Sequence, residues 1–361
     1  MTTISEASRI AVFVPNWVGD AVMCTPALRA LRQRFPQAEI VGVLRSYLTP
    51  LFAGGSWFDA LISSDSFFPA IRQLRQSRVE IAILFPNSLR VALLAKLGSC
   101  RFLVGYRRDG RGWLLTHALD WPAAQHGKRA PYPMILAYNR LVMELGGEDP
   151  GVQMTLVTTP AQEAEAEAVW QRYGWHGQKV VGLHGGAAYG SAKCWPFAYC
   201  VELARLLADR GYAVLVLCGP KECAFAAAIE QQVCHPAVRS LHREKLHLGL
   251  MMACLRRVRL LITTDSGPRH IAAAFDRPVL TLFGPTDIAW TETFHAKSLH
   301  LQIPVPCGPC QLRRCPLDHR CMRQLTPDFV FAQACNWLAR WEKCECDPLP
   351  NKIICPDNAA V

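Results

Sequence analysis

Four short stretches of this sequence carry residue types that can do chemistry at the end of a strand. The first is Pro15-Asn16-Trp17-Val18-Gly19-Asp20. Its Asp20 can take a proton from an alcohol, since an aspartate is ionised at neutral pH, or it can merely cap the turn that follows. The second, His184-Gly185-Gly186-Ala187-Ala188-Tyr189-Gly190-Ser191-Ala192-Lys193-Cys194-Trp195-Pro196, joins glycines that admit a close ligand to a lysine and a proline-started helix. That combination suits a diphosphate, although a glycine-rich turn beside a solvated lysine is also common. The third, Cys218-Gly219-Pro220-Lys221-Glu222, ends in a carboxylate able to accept two ribose hydroxyls or simply to complement a helix dipole. The fourth is Thr263-Thr264-Asp265-Ser266-Gly267-Pro268-Arg269-His270. It offers backbone N–H groups and a hydroxyl to phosphate, with Asp265 available for sugar hydroxyls and His270 one turn on.

Several chemistries are disfavoured by what these stretches lack. Neither a Gly-X-Gly-X-X-Gly dinucleotide fingerprint nor a Walker A loop is present. Ser266 is not framed as Gly-X-Ser-X-Gly, so a hydrolase nucleophile elbow is not supported. Cys307, Cys310, Cys315 and Cys321 are spaced X2, X4 and X5, with His319 among them. Such a set can make a structural zinc site, or it can be four packed thiols.

The elements needed to hold these stretches are legible as pattern. Apolar runs at residues 10–15, 39–44, 58–63 and 79–85 alternate with helical patterns at 27–35 and 88–97. The second half repeats the rhythm with runs at 180–184, 213–218, 260–264 and 279–283 and helices at 196–210 and 246–257. Strand alternating with helix predicts parallel sheets with crossover helices, and the repetition predicts two doubly wound α/β units. Ligands of such sheets bind at the carboxyl ends of strands, where all four stretches fall. The expected division is 1–158, 159–343 with a terminal helix at 327–341, and a Cys/Pro-rich tail, 344–361, with no assigned structure.

Composition narrows the class. A chain of 361 residues at roughly 150 per domain fits two domains. With 51% hydrophobic and 19% charged residues it is neither disordered nor a coiled coil. Its net charge of +10 favours anionic partners. No signal peptide or apolar run of spanning length is evident, so a cytoplasmic location is expected, with most of the 16 cysteines reduced.

Asn16-Trp17-Val18-Gly19-Asp20-Ala21-Val22 with Thr25-Pro26-Ala27-Leu28, the run from Gly186 to Pro196, Thr264-Asp265-Ser266-Gly267 leading to His270-Ile271-Ala272-Ala273-Ala274, and Leu282-Phe283-Gly284-Pro285-Thr286 occur in this order. Together they resemble the bacterial ADP-heptose:lipopolysaccharide heptosyltransferases, glycosyltransferase family 9, and most of all their heptosyltransferase II branch. The resemblance spans about residues 9–340.

It implies a GT-B fold: two Rossmann-like domains facing across a cleft, the acceptor held by the first and the ADP-sugar by the second. It implies an inverting transfer of heptose from ADP-heptose to the inner core of lipopolysaccharide, with Asp20 as general base. Lys193 and the Ser266-Gly267 backbone then match diphosphate contacts, Glu222 a ribose contact, Asp265 and His270 donor-site residues, and Gly186 and Ala187 the donor loop. Arg107 and Arg111, within a basic group that includes Arg101, Arg108, Lys128 and Arg129, match contacts to an anionic lipid A–Kdo/heptose acceptor.

No metal is required on this reading, though Mg²⁺ can assist. No nucleic-acid partner is expected, and the protein should make peripheral contact with the cytosolic face of the inner membrane. The alternatives are a relative glycosylating another glycan or a protein, or a non-catalytic nucleotide-sugar-binding protein. Three departures from the family pattern bear on which donor or acceptor is used. Cys194 stands where Arg is usual, His184-Gly185 replaces a Pro-containing lead, and Pro268-Arg269 replaces an apolar pair.

Overall fold

Short runs dominated by aliphatic residues form the inner strands, which are buried on both faces as parallel sheets require. The computed structural model describes residues 7–122, 124–125, 128–342 and 352–354. The chain divides into two compact units, Met1–Val157 with Ala289–Thr293 and Thr158–Ile288 with Phe294–Val361.

The first unit contains β1 (Arg9–Phe13), β2 (Glu39–Leu44), β3 (Ala60–Ser63), β4 (Ile81–Leu84), β5 (Phe102–Tyr106) and β6 (His117–Leu119). They pair in parallel in the order β3-β2-β1-β4-β5-β6. β1 sits between β2 and β4, with Ala11 opposite Val41 on one side and Ala82 on the other. The strand order reverses there, which makes the loop after β1 the switch point where ligands of such sheets bind. Phe13, Val41, Leu84 and Leu103 belong to one buried cluster covering a face of this sheet. A short antiparallel pair, β7 (Ala124–Gln125) and β8 (Lys128–Arg129), lies outside the sheet.

The second unit repeats the winding with β9 (Val180–His184), β10 (Ala213–Val216), β11 (Val238–Ser240), β12 (Leu260–Thr264), β13 (Val279–Phe283), β14 (Ser298–Gln302) and β15 (Lys352–Ile354). The order is β11-β10-β9-β12-β13-β14-β15, all parallel. β9 and β12 are neighbours at the reversal, with Thr263 opposite His184. The glycine-rich stretch and the Thr-Asp-Ser-Gly stretch therefore leave the sheet side by side. The unit opens on a capped helix, Pro160–Tyr173. Thr159 Oγ1 accepts from the Gln162 N–H at 3.2 Å, while Gln162 Oε1 accepts from the Thr159 N–H at 2.9 Å.

The expected α/β class and doubly wound order are observed, and the elements missing from the sequence reading are mostly sheet edges. β5 is flanked by Arg101 and Arg107 and reads as a basic loop. β15 falls in the tail to which no structure was assigned. Cys344 and Cys346 of that tail lie outside the described residues. The helix Thr25–Arg34 covers the helical pattern at 27–35, and a separate short helix, Val18–Met23, precedes it with a break at Cys24. Pro26 has no N–H to offer the Val22 carbonyl, and the Thr25 hydroxyl takes that place at 2.8 Å.

Candidate functional site

In the first unit Asp20 lies in the first turn of the helix after β1. The Tyr138 hydroxyl, from the helix Met134–Met143, donates to Asp20 Oδ1 at 2.9 Å. Tyr138 is buried and its ring packs against Phe85 at 5.0 Å between centroids. Burial, and then the negative charge of Asp20, push the Tyr138 phenol far above its ordinary pKa. The same two causes, in the same order, raise the buried thiol of Cys24. Both groups are thus neutral at any working pH, and the phenol acts toward the carboxylate only as a donor.

In the second unit Lys193 and Asp265 form an ion pair, Nζ to Oδ2 2.6 Å. The ammonium also donates to the Asp265 carbonyl at 3.2 Å. Arg269, fully buried, meets Asp265 Oδ1 at 3.2 Å, and the Thr286 hydroxyl donates to Oδ2 at 2.9 Å. Burial alone would raise the Asp265 pKa, but the charges of Lys193 and Arg269 hold it well below the usual carboxylate range. Ser266 is the N-cap residue of the helix Gly267–Ala274, whose first N–H groups open at the switch point. The Ser266 hydroxyl lies 3.2 Å from His184 Nδ1.

Glu222 ends the loop after β10. Its Oε2 accepts from the Gly219 N–H at 2.8 Å and lies 3.2 Å from His184 Nε2. A methyl on Gly186 would come within 2.1 Å of Glu222 Oε1, so this glycine is what lets the carboxylate rest over the loop. Burial works to raise the Glu222 pKa, and the His184 contact and the Gly219 N–H bring it down overall. Ala187 follows Gly186 in the same loop, whose backbone is pinned by the Thr264 hydroxyl on the Gly186 carbonyl at 2.5 Å.

The structure corrects four expectations. Asp265 is not available to sugar hydroxyls; it is buried and engaged by two cations and a hydroxyl. His270 is 2% exposed, and burial, followed by the charge of Arg269, takes its pKa down to about 3, so it is a neutral interior side chain. Arg111 is fully buried with its guanidinium spent on the Tyr106 carbonyl at 3.1 Å, the Pro86 carbonyl and Asn87 Oδ1 at 3.0 Å, which removes it as an acceptor contact. Burial pushes its pKa down to about 10. Arg107 by contrast is exposed, with a loose 3.5 Å contact to Asp120. The side chains of Lys128 and Arg129 lie outside the described residues.

The fourth correction concerns the cysteines. Cys307, Cys310, Cys315 and Cys321 do line one small enclosed cavity of about 20 Å³ together with His319. Among the described residues, however, no three His, Cys, Asp or Glu side chains are set to hold a metal ion. The segment works instead as a strap on the glycine-rich loop. The Arg313 carbonyl accepts from the Ala192 N–H at 3.0 Å, the Gln311 carbonyl from the Tyr189 hydroxyl at 2.8 Å, and His319 Nε2 lies 2.8 Å from the Ala192 carbonyl. A methyl on Gly190 would come within 2.3 Å of the Arg313 carbonyl, so the strap needs glycine there. Tyr138, Thr286 and the role of Arg269 were not found from sequence: each acts through a contact made by folding.

Two tandem parallel units wound in Rossmann order, the second bringing a lysine and a helix N-terminus together at its switch point, are the build of a GT-B glycosyltransferase. Residues 68–320 match the family model described as glycosyltransferase family 9 (heptosyltransferase), and the chain belongs to that family. It is 28% identical to lipopolysaccharide heptosyltransferase 2 of Salmonella typhimurium over 80% of this chain and 86% of that one. Its fold matches the structure of Escherichia coli ADP-heptose lps heptosyltransferase II with a TM-score of 0.74 at 23% identity, over 92% of this chain and 99% of that one. It also matches E. coli heptosyltransferase WaaC with ADP-2-deoxy-2-fluoro heptose, with a TM-score of 0.66 at 18% identity, over 91% and 99%. Among the described residues no helix is long and apolar enough to cross a membrane.

Proposed function

We propose that the protein transfers heptose from ADP-heptose to the inner core of lipopolysaccharide, inverting the anomeric centre, at the cytosolic face of the inner membrane. The observation that carries this reading is the Lys193–Asp265 pair at the head of the helix Gly267–Ala274. An ammonium has three N–H donors. Two are engaged by Asp265, and the third serves a phosphate oxygen alongside the N–H groups of the helix start. Asp265 and Arg269 act as the frame that aims the lysine. Glu222, steadied through Oε2, takes the ribose hydroxyls with its Oε1 edge. The names of the matched proteins, which include a lipopolysaccharide heptosyltransferase and a complex with an ADP-heptose analogue, support the donor and acceptor classes.

In the reaction Asp20 receives the proton of the acceptor hydroxyl while that oxygen forms a bond to the anomeric carbon and the carbon–oxygen bond to the diphosphate breaks. Lys193 and the helix N-terminus carry the charge that develops on departing ADP. Mg²⁺ can add to that stabilisation. Arg107 and Arg101, both exposed, favour an acceptor bearing phosphates and carboxylates. The test is a panel of ADP- and UDP-sugars incubated with purified protein and a lipid A–Kdo/heptose acceptor, with and without Mg²⁺, following nucleotide release. ADP released only in the presence of both ADP-heptose and this acceptor supports the reading. Release from UDP-sugars alone, or transfer to a different glycan or to protein, overturns it.

A further inference from the structure

The helix Phe67–Ser77 follows β3 and packs inward through Ala70, Ile71 and Leu74. Its opposite face shows Phe68, Arg72 and Arg75 at i, i+4 and i+7, and Arg78 follows at the helix end. Phe68 is 79% exposed, the most exposed large apolar side chain among the described residues. Phe68, Ile71, Arg72, Arg75, Gln76 and Arg78 line one open surface groove of about 610 Å³. The neighbouring helix Leu89–Leu97 adds Arg90, whose guanidinium lies 5.3 Å from the Phe67 ring centre, and half-exposed Leu97, whose carbonyl accepts from Arg75 Nε at 2.8 Å. The helix contains no Asp or Glu. Among the described residues none of Arg72, Arg75, Arg78 and Arg90 pairs with a carboxylate.

Unopposed guanidiniums are weakly hydrated and bind phosphate oxygens bidentately, while a phenylalanine held out in water gains by entering an apolar boundary. A helix carrying both on one face has the chemistry of an interfacial helix lying in the headgroup region of an anionic bilayer. We propose that this face docks the protein on an anionic membrane surface, with Phe68 entering the headgroup boundary and the four arginines meeting lipid phosphates. The inference deepens the proposed function, since it rests on an acceptor that is itself embedded in a membrane.

The test is co-sedimentation of the full chain with phosphatidylcholine vesicles, with and without phosphatidylglycerol. Wild type is expected to bind only the anionic vesicles, more weakly as salt rises. The double variant Arg72→Glu/Arg75→Glu should lose about tenfold or more in binding, and Phe68→Ser about fivefold. Both should keep the wild-type circular dichroism spectrum and the wild-type rate of ADP release with a delipidated, water-soluble acceptor. Anionic vesicles that fail to bind wild type, variants that bind as wild type does, or a face that binds the delipidated oligosaccharide but no vesicle would each overturn the docking surface. Loss of transfer to the soluble acceptor by wild type itself would count against the proposed function instead.

Discussion

Each unit of this protein places an aspartate near the switch point of its sheet, and the two carboxylates are treated in opposite ways. Asp20 is addressed by a neutral phenol, Tyr138, and stands near a thiol, Cys24, that burial keeps protonated. Asp265 is clamped between Lys193 and Arg269 and bonded by Thr286. A carboxylate held far below its ordinary range by two cations has no affinity for a proton at working pH. It is a counter-ion, and its use is to hold the cations still. Tyr138 brings Asp20 a hydrogen bond and no charge, since its phenol stays neutral. Residue type therefore does not tell the two aspartates apart; the partners that folding brings to each do.

The largest effect separating the two is expected from Asp20→Ala. It should cut kcat by about a thousandfold, within the usual range for a lost general base, while ADP affinity measured by calorimetry stays within twofold of wild type. Transfer surviving at more than a tenth of the wild-type rate would break the contrast, because Asp20 would then be no more a base than Asp265.

Next in size is Asp265→Ala. It removes the charge that compensates a fully buried Arg269 and a nearly buried Lys193, which should cost about 3–5 kcal/mol of stability and also weaken ADP binding. Thermal unfolding checks the first and calorimetry the second. Asp20→Ala, which strands only the Tyr138 hydroxyl, should lower the melting temperature less, so the two variants separate along stability and turnover.

This difference between the two carboxylates was not legible in the sequence, although much around it was. Alternating aliphatic runs and helical patterns identified the strands nearest each switch point, because those are buried on both faces. They missed β5 and β6 in the first sheet and β11, β14 and β15 in the second, all of them away from the switch points. The glycine-rich stretch, Lys193 and the helix start were readable because backbone permissiveness and a point charge are local properties. Asp265 was misread as a sugar contact. Its partners come from the loop after β9, from the next helical turn and from the Gly284-Pro285-Thr286 loop, and only the sheet order brings them together. Arg111 was misread for the same reason: a basic stretch looks solvated until β5 and the turn at Pro86 enclose it.

A smaller effect concerns the interior of the second unit. His270 has a folded pKa of about 3, whereas an unfolded chain takes up this proton near pH 6.5. Between those values the unfolded state binds more protons, so stability falls as pH falls from 6.5 toward 3. The lost stability reaches about 2 kcal/mol by pH 5. Its Nδ1 has no hydrogen-bond partner among the described residues, which fits a ring kept for its shape rather than its charge. His270→Gln should flatten the dependence of urea-unfolding free energy on pH between 6.5 and 4, whatever it does to stability at pH 7. An unchanged slope would mean that the ring titrates in the folded protein as it does in the unfolded chain.

The smallest effect sharpens the contrast most, because it changes one oxygen atom. Tyr138→Phe deletes the hydroxyl that donates to Asp20 and keeps the ring on Phe85. A hydrogen bond donated to a carboxylate favours its charged form, so losing it makes Asp20 easier to protonate. The acid limb of the kcat/KM profile should therefore move to higher pH. At neutral pH kcat should fall no more than about tenfold, and the KM for the sugar nucleotide should not change. A Tyr138 that served only to fill space would lower stability or expression without moving the limb. A limb that moves to lower pH would mean that a contact other than this phenol governs Asp20.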